Sequence, residues 1–230
     1  MACLIFSKIP PPKRAYTIER YFIRAALLAI MKAWSDLNDT DFDAFNKEEC
    51  ITDEICELLS IIQADRTVPL FNQTTFETPN CDTRFKARCK NKNYRRYDIV
   101  LRLQGDFSHG SKMYYGLFFE CKLLNGSTHG INDYVCKGVK RFVTDSDYAH
   151  YMKHAVMLAY GEQKHEMPNL LLNYFRTTSS KTAKQCIPCN NYADDAFNNM
   201  PVHITEHRRL FSYPDGSTPE TIELIHLWLS

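Results

Sequence analysis

The stretch YRRYDIVLRL at residues 94–103, followed by MYYGLFFECKLL at 113–124, decides the fold. Both segments are rich in Tyr, Val, Ile and Phe, the residue types that favour strands. The link between them, QGDFSHGSK at 104–112, contains two glycines and indicates a loop. The two segments therefore predict neighbouring strands joined by a loop.

Charged residues interrupt these strands at informative positions. Asp98 lies inside the otherwise apolar run DIVL, where a carboxylate is costly to bury unless it is paired or coordinates a cation. Side chains two residues apart on a strand share one face, so Glu120 and Lys122 point together and Cys121 points away. If the two strands pair as a hairpin, Asp98 and Glu120 come within reach of one metal ion.

This combination of side chains suits phosphodiester hydrolysis. Mg²⁺ takes oxygen ligands, commonly a few carboxylates together with waters and phosphate oxygens. A divalent ion makes bound water a better nucleophile and offsets charge in the transition state. Lys122 can orient or deprotonate the attacking water and neutralise the scissile phosphate. We therefore expect Mg²⁺, or Mn²⁺ in its place, as the cofactor.

The rest of the chain surrounds these strands with helices and further strands. Hydrophobic periodicity predicts helices over 16–34, 48–63 and 131–143, a short helix over 146–152, a half-buried strand over 83–89, a buried strand over 154–160, and two strands within 201–210 and 221–229. LLLNYF at 170–175 suits either a helix or a strand, and 176–199 is polar and turn-like. This order predicts a mixed α/β arrangement around one sheet.

Composition limits the class of protein. The chain has 230 residues, of which 44% are hydrophobic, and a net charge of +1, so it suits one domain with a sizeable core. The charge is uneven, because 84–96 holds seven basic residues and no acidic one while 36–57 is strongly acidic. No secretory signal is evident, and no apolar run approaches the roughly 20 residues that span a bilayer. We therefore expect a cytoplasmic protein with no membrane association, whose nine cysteines are reduced thiols.

Other motifs have weaker interpretations. Cys186 and Cys189 form a C-x-x-C that could be half of a zinc site, but Cys81 and Cys89, with seven residues between them, are not the usual partner pair. His203, His207 and His226 are expected to be structural or surface histidines. A second E-x-K at Glu162 and Lys164 lies in a polar turn and indicates surface charge.

The pattern D-x₂₁-E-x-K resembles the PD-(D/E)XK nuclease superfamily. The resemblance implies Asp98, Glu120 and Lys122 as catalytic residues and places the metal at Asp98, Glu120 and Cys121. The residue before Asp98 is Tyr97, where the family pattern has Pro. Some members add an acid from the helix before the sheet. Glu48 is the candidate here, because it shares the inward stripe of the second helix, and Glu49 is the alternative.

The family core implies a fold class and a division of the chain. The expected fold is α/β, with a restriction-endonuclease-like core of helix, three antiparallel strands, helix and strand, and with N-terminal helical and C-terminal β-rich additions. The whole chain 1–230 then forms a single nuclease-like domain. Its parts are an N-terminal helical extension (1–45), a catalytic core (46–161) and a C-terminal completion of the sheet (162–230).

The region after E-x-K resembles small nuclease-like effectors of bacterial anti-phage defence. Tyr134, Lys137 and Arg141 are expected to share one helix face and to line a phosphate groove. Lys140, Arg95 and Arg96 are further candidates for nucleic-acid binding. The resemblance implies DNA as substrate and a helicase or ATPase from the same operon as partner, and it leaves room for a homo-oligomer. Two alternatives stay open: a catalytically inactive binding or assembly subunit, and a nuclease that cuts RNA.

Overall fold

The computed structural model describes residues 15–38, 48–85, 95–105, 115–124, 128–144, 149, 151–161, 167–213 and 215–230. Within these ranges only the main chain is described at 82–85, 95–96 and 128–129. The helices are α1 (Arg20–Asn38), α2 (Glu48–Asp65), α3 (Thr128–Asp133), α4 (Lys140–Thr144), α5 (Met167–Thr177) and α6 (Lys181–Gln185). A π-helix (Tyr134–Val139) joins α3 to α4, and a short 3₁₀ helix spans Asp195–Phe197.

Seven strands form one sheet. They are β1 (Asn80–Phe85), β2 (Arg95–Arg102), β3 (Gly116–Leu123), β4 (His154–Tyr160), β5 (Asn190–Tyr192), β6 (Val202–His207) and β7 (Ile222–Leu229), in the spatial order β1-β2-β3-β4-β7-β6-β5. The first three strands are antiparallel, β4 is parallel to both β3 and β7, and β6 and β5 continue antiparallel. The mixed α/β class expected from the sequence is confirmed.

The centre of the sheet is the most apolar part of the molecule. Every residue of β4 and β7 is buried, because helices cover the sheet where the parallel strands lie. α1 packs on α2, and both contact the sheet. The inward stripe of α2 is buried as its periodicity predicts, with Ile51, Ile55 and Leu59 fully inaccessible. No helix within the described ranges has the length and apolar character that a bilayer crossing requires.

Two predictions of local structure are wrong. The predicted helix over 146–152 is absent from its described residues, since Ala149 has a φ of 48° and Met152 forms a β-bridge with Tyr16. The polar stretch 176–199 is more regular than its composition indicates, because it contains α6, β5 and the 3₁₀ helix. The predicted strand over 83–89 is β1 as far as Phe85, and its remainder lies outside the described residues.

One pair of cysteines departs from the expectation of reduced thiols. Cys56 on α2 and Cys81 on β1 form a disulfide with their Cα atoms 6.3 Å apart. This pairing also removes Cys81 from any zinc site with Cys186 and Cys189. Five cysteines are free in the described part of the chain: Cys50, Cys121, Cys136, Cys186 and Cys189.

A charged cluster ties α1 to the start of the two central strands. The Arg20 guanidinium lies 2.6 Å from Oε2 of Glu223 and 2.8 Å from Oδ2 of Asp194. Nδ1 of His154 lies 3.2 Å from the same Glu223 oxygen. Burial would raise the pKa of Glu223, but the hydrogen bonds from His154 and Arg20 outweigh it and lower the pKa to about 2.

We expect Glu223→Gln to destabilise the protein by about 2 kcal/mol at pH 7, which corresponds to a fall in Tm of roughly 4–8 °C. Because the folded-state pKa lies below the ordinary value of 4.5, the carboxylate stabilises the fold above that pH. The difference between variant and wild type should therefore shrink as the pH falls from 4.5 towards 2. Thermal unfolding followed by circular dichroism at several pH values measures it, and a pH-independent difference would contradict it.

Candidate active site

The candidate site lies where β2 and β3 separate. Their main-chain pairing runs from Arg102 and Gly116 to Ile99 and Phe119. Beyond that point the N–H of Cys121 donates to Oδ2 of Asp98 at 2.6 Å, so a side chain takes the place of a main-chain acceptor. The opening between the strands brings the Asp98 carboxylate level with Glu120.

Glu120 and Lys122 point to the same side of β3, as the alternation of a strand requires. Nζ of Lys122 lies 2.8 Å from Oε1 of Glu120. Glu120 is fully buried, and the Lys122 side chain is 12% exposed. The thiol of Cys121 points into the core on the other face, and burial raises its pKa well above the ordinary value. A neutral buried thiol is a poor metal ligand, so only the main-chain carbonyl of Cys121, to which Lys122 donates, faces the site.

Glu48 closes the site from the first residue of α2. Its Oε1 lies 2.9 Å from Nζ of Lys122, and its Oε2 accepts the N–H of Leu123 at 2.9 Å. Leu123 lies two residues after Cys121 on β3, beyond the main-chain pairing with β2. The N–H groups of both residues therefore donate to carboxylates instead of to main-chain carbonyls. The structure therefore brings Glu48 to the predicted catalytic lysine. Glu49, the alternative acid, is exposed in the same cleft.

Arg141 approaches from the opposite side. Its Nη1 lies 2.7 Å from Oε2 of Glu120, and its side chain is 41% exposed. Gly138 lies close to this contact, because a Cβ there would lie 2.5 Å from Cε of Met157 and 3.7 Å from Cγ of Glu120. The helix thus packs closely on β3 and β4, and Arg141 reaches the carboxylate one turn later.

The charges of the site are unbalanced. The three carboxylates Asp98, Glu120 and Glu48 face two cations, Lys122 and Arg141. Burial and, next to it, the charge of Glu120 raise the pKa of Asp98 to about 7. Burial works against the charge of Lys122, but Glu120 and Glu48 outweigh it and raise the lysine pKa. The lysine is therefore protonated at neutral pH, and Asp98 is the group that a further positive charge would ionise.

A cleft of about 440 Å³ opens over these groups. Its lining consists of Glu48, Glu49, Thr52, Asp53, Asp98, Lys122 and Arg141. Thr52 and Asp53 were not among the predicted site residues. They lie one helical turn after Glu48 and Glu49, so the spacing of four on an acidic helix is the signal that could have found them.

The residues predicted to bind nucleic acid do not share one face. Tyr134 is fully buried, and its hydroxyl lies 2.7 Å from Nδ1 of His226, so it cannot line a phosphate groove. Lys137 is exposed and pairs with Asp133 at 2.6 Å, whereas Arg141 enters the cleft. The π-helix explains the difference: its i→i+5 hydrogen bonds widen the turn, so residues spaced for an α-helix lose their common face.

The remaining candidates fall outside the cleft or outside the described side chains. Lys140 is half-buried at the start of α4. Arg95 and Arg96 lie at the start of β2, but their side chains are not described, and most of the basic stretch 84–96 lies outside the described residues. Glu162 and Lys164 also lie outside them.

The C-terminal histidines form a polar chain in the core. Oγ1 of Thr205 lies 2.6 Å from Nε2 of His226 and 2.7 Å from Nε2 of His207. Burial lowers the pKa of His207 to about 3 and that of His226 well below its ordinary value. Both imidazoles are neutral at physiological pH, and His226 holds the Tyr134 hydroxyl in place. Comparison of the chain with protein-family models, curated proteins and solved structures gave no match.

Proposed function

We propose that the protein is a Mg²⁺-dependent nuclease that hydrolyses phosphodiester bonds of DNA. One observation carries the proposal. Asp98, Lys122 and Glu48 come from two strands and a helix, yet they line one cleft at the point where β2 and β3 separate, and the fully buried Glu120 pairs with Lys122 there. This is the arrangement of residue types implied by the resemblance to PD-(D/E)XK nucleases.

The oxygen atoms at the site fit a divalent cation. The ammonium of Lys122 already contacts oxygens of Glu120, Glu48 and the Cys121 main chain. Burial, and next to it the repulsion from Glu120, raises the pKa of Asp98, and a cation would relieve this repulsion. Within the described residues no three acidic, histidine or cysteine side chains form a ready-made metal shell. Mg²⁺ usually keeps several waters, so Asp98 and Glu120 with the Cys121 carbonyl are a suitable ligand set.

The residues of the chain then have separate roles. When bound, the cation supplies Lewis acidity and a more acidic water. Asp98 and Glu120 would hold it, and Lys122 keeps its proton and would donate hydrogen bonds to the attacking water or to a phosphate oxygen. Glu48 holds Lys122 in position and fixes the end of β3 through the Leu123 N–H. Arg141 supplies a second positive charge next to the scissile phosphate.

Cleavage of a supercoiled plasmid in Mg²⁺ or Mn²⁺ tests the proposal. We expect wild type to nick or linearise the plasmid and Lys122→Ala to lose about a hundredfold or more of this activity. Lys164→Ala is the matched control, because it removes the lysine of the second E-x-K and should leave cleavage unchanged. Equal activity in Lys122→Ala and wild type would remove the site from the reaction.

A second candidate function is a catalytically inactive assembly subunit. The ion pairs that Lys122 and Arg141 make with the fully buried Glu120 favour it, because a charge cluster of this kind also suits a purely structural role. An assembly subunit predicts no response to Mg²⁺ and no cleavage of plasmid or of labelled RNA. RNA cleavage without DNA cleavage would instead identify a ribonuclease that uses the same centre.

Metal binding can be measured without activity. In EDTA at pH 8, ionised Asp98 destabilises the fold, because its pKa is raised and ionisation costs free energy above pH 3.8 and fully above about pH 7. We therefore expect Asp98→Asn to raise Tm in EDTA at pH 8 by at least about 4 °C and to have little effect at pH 4. Asparagine keeps an oxygen that can accept the Cys121 N–H.

Addition of Mg²⁺ should reverse the order of the two Tm values, so that wild type becomes more stable than Asp98→Asn. A ligand that binds only the folded state stabilises it by mass action. We therefore expect 10 mM Mg²⁺ to raise the Tm of wild type at pH 8. This concentration is about a hundred times a submillimolar Kd. Asp98→Asn should respond much less. Equal Mg²⁺ responses of the two proteins in differential scanning fluorimetry would contradict the assignment of Asp98 as a ligand.

We also propose, from the resemblance alone, that the protein is an effector of bacterial anti-phage defence in the cytoplasm. A net charge of +1 gives weak long-range attraction to DNA, so a helicase or ATPase partner would deliver the substrate. Plasmid cleavage with and without the product of the neighbouring gene tests this. Size-exclusion chromatography with light scattering tests for a homo-oligomer.

A further inference from the structure

The two walls of the cleft carry opposite charge. α2 forms one wall and contains six acidic residues and no basic one. The π-helix and α4 lie on the other side, and the segment 134–144 contains Lys137, Lys140 and Arg141 with no acidic residue. A polyanion that reaches the site is repelled by the first wall and attracted by the second.

The basic side continues beyond the cleft onto α6. α6 packs against both the π-helix and α4, and Ala183 and Cys186 are buried in this contact. Lys140 lies close enough to Cys186 to act on the pKa of its thiol. Lys181 and Lys184 of α6 are exposed, and the segment 167–193 contains no aspartate or glutamate. Positive charge therefore extends from Arg141 in the cleft through Lys140 to α6.

Local ion pairing decides which of these residues are available. Lys137 pairs with Asp133 at 2.6 Å, so part of its charge is already neutralised. Arg141 is occupied by Glu120. Lys181 and Lys184 have no acidic neighbour within their own helix, which has the sequence KTAKQ. Ser180 caps this helix by accepting the N–H of Ala183, so the two lysines stand on an ordered element.

We propose that the surface formed by Lys140, Lys181 and Lys184, the α6 surface, binds the phosphate backbone of the DNA strand that leaves the cleft. The inference rests on the proposed function for the identity of the polyanion. It adds the path that the substrate takes outside the catalytic centre. The backbone passes Arg141 and continues over α6, away from the acidic wall of α2. These contacts are electrostatic and therefore independent of sequence.

The proposal predicts a length dependence. A short oligonucleotide occupies the cleft alone, whereas a longer one also reaches the α6 surface. Each phosphate contact releases counterions, so affinity for long DNA should fall steeply with salt, with a slope in log–log form of about −1 for every lysine engaged. Removal of the two α6 lysines should therefore weaken long DNA selectively.

Binding of fluorescein-labelled duplexes of 8 and 30 base pairs, measured by anisotropy in Ca²⁺ to suppress hydrolysis, tests the inference. We expect Lys181→Glu/Lys184→Glu to weaken binding of the 30-mer about tenfold or more at 100 mM KCl and to lower its salt slope by about two. Binding of the 8-mer should change less than twofold. The matched control is Arg66→Glu/Arg208→Glu, which changes the net charge equally at exposed positions, one of them at the far end of α2 from Glu48.

The outcomes separate this inference from the proposed function. Loss of 30-mer affinity to the same extent in the control pair, or an unchanged affinity in the α6 variant, overturns the inference. If wild type cleaves nothing but binds the 30-mer through α6, the proposed reaction fails and the binding surface stands.

Discussion

Glu120→Gln should abolish nuclease activity, with a loss of at least about a thousandfold in cleavage rate. The residue is fully buried between Lys122 and Arg141 and is one of two carboxylates able to hold the cation. An amide of the same shape removes the negative charge and with it several kcal/mol of transition-state stabilisation, where each 1.36 kcal/mol is about tenfold in rate. Single-turnover cleavage of a labelled duplex in Mg²⁺ measures the effect.

Glu49→Gln provides the matched control for this substitution. Glu49 is exposed in the same cleft, next to Glu48 on α2, and makes none of the contacts described for the centre. We expect its cleavage rate to lie within about twofold of wild type, since an exposed acid acts only through screened charge. A similar loss in both variants would indicate that the cleft responds to total charge and not to a specific ligand set.

Of the substitutions proposed for this protein, Arg209→Met should lower the free energy of unfolding most. The guanidinium is buried and donates to the main-chain carbonyls of Ala149, at 3.1 Å, and Met152. Burial lowers the pKa of Arg209 to about 10, so it stays charged at neutral pH. Methionine fills much of the space but leaves both carbonyls without this donor. We expect a loss of about 3 kcal/mol, or roughly 6–12 °C in Tm.

The neighbouring arginine tests whether this loss comes from the buried contacts. Arg208 is exposed, so Arg208→Met should change stability by less than about 0.5 kcal/mol. Guanidinium chloride unfolding at pH 7 compares the two variants directly. A Tm of Arg209→Met within 2 °C of wild type, a loss of at most about 1 kcal/mol, would show that other groups support the segment before β4.

The sequence predicts those parts of the site that follow from short-range periodicity. Glu120 and Lys122 share a face because alternation along a strand is fixed by the backbone, whatever surrounds it. Glu48 could be placed because it continues the buried stripe of Ile51 and Ile55 on α2. The sheet centre also followed from composition, since HAVMLAY at 154–160 and IELIHLWL at 222–229 are apolar enough for strands covered on both faces.

Other features depend on contacts that periodicity does not encode. Ala149 adopts a positive φ because Tyr97 and Arg209 bind its main chain, so the described residues of the predicted helix over 146–152 are not helical. The disulfide joins a helix to a strand 25 residues later, a separation with no sequence signature. α6 is too short to show a period, although Ser180 before KTAKQ is a recognisable capping signal.

The π-helix between β3 and β4 has a consequence for how this protein could change in evolution. A π-turn is equivalent to one residue inserted into an α-helix, and each α-helical residue advances the direction of the side chains by about 100°. Deletion of a single residue between Tyr134 and Val139 would therefore return the segment to α-helical turns and leave Arg141 directed towards Glu120. Lineages should tolerate the loss of one residue from this segment more readily than the loss of two, because the π-turn can absorb only one.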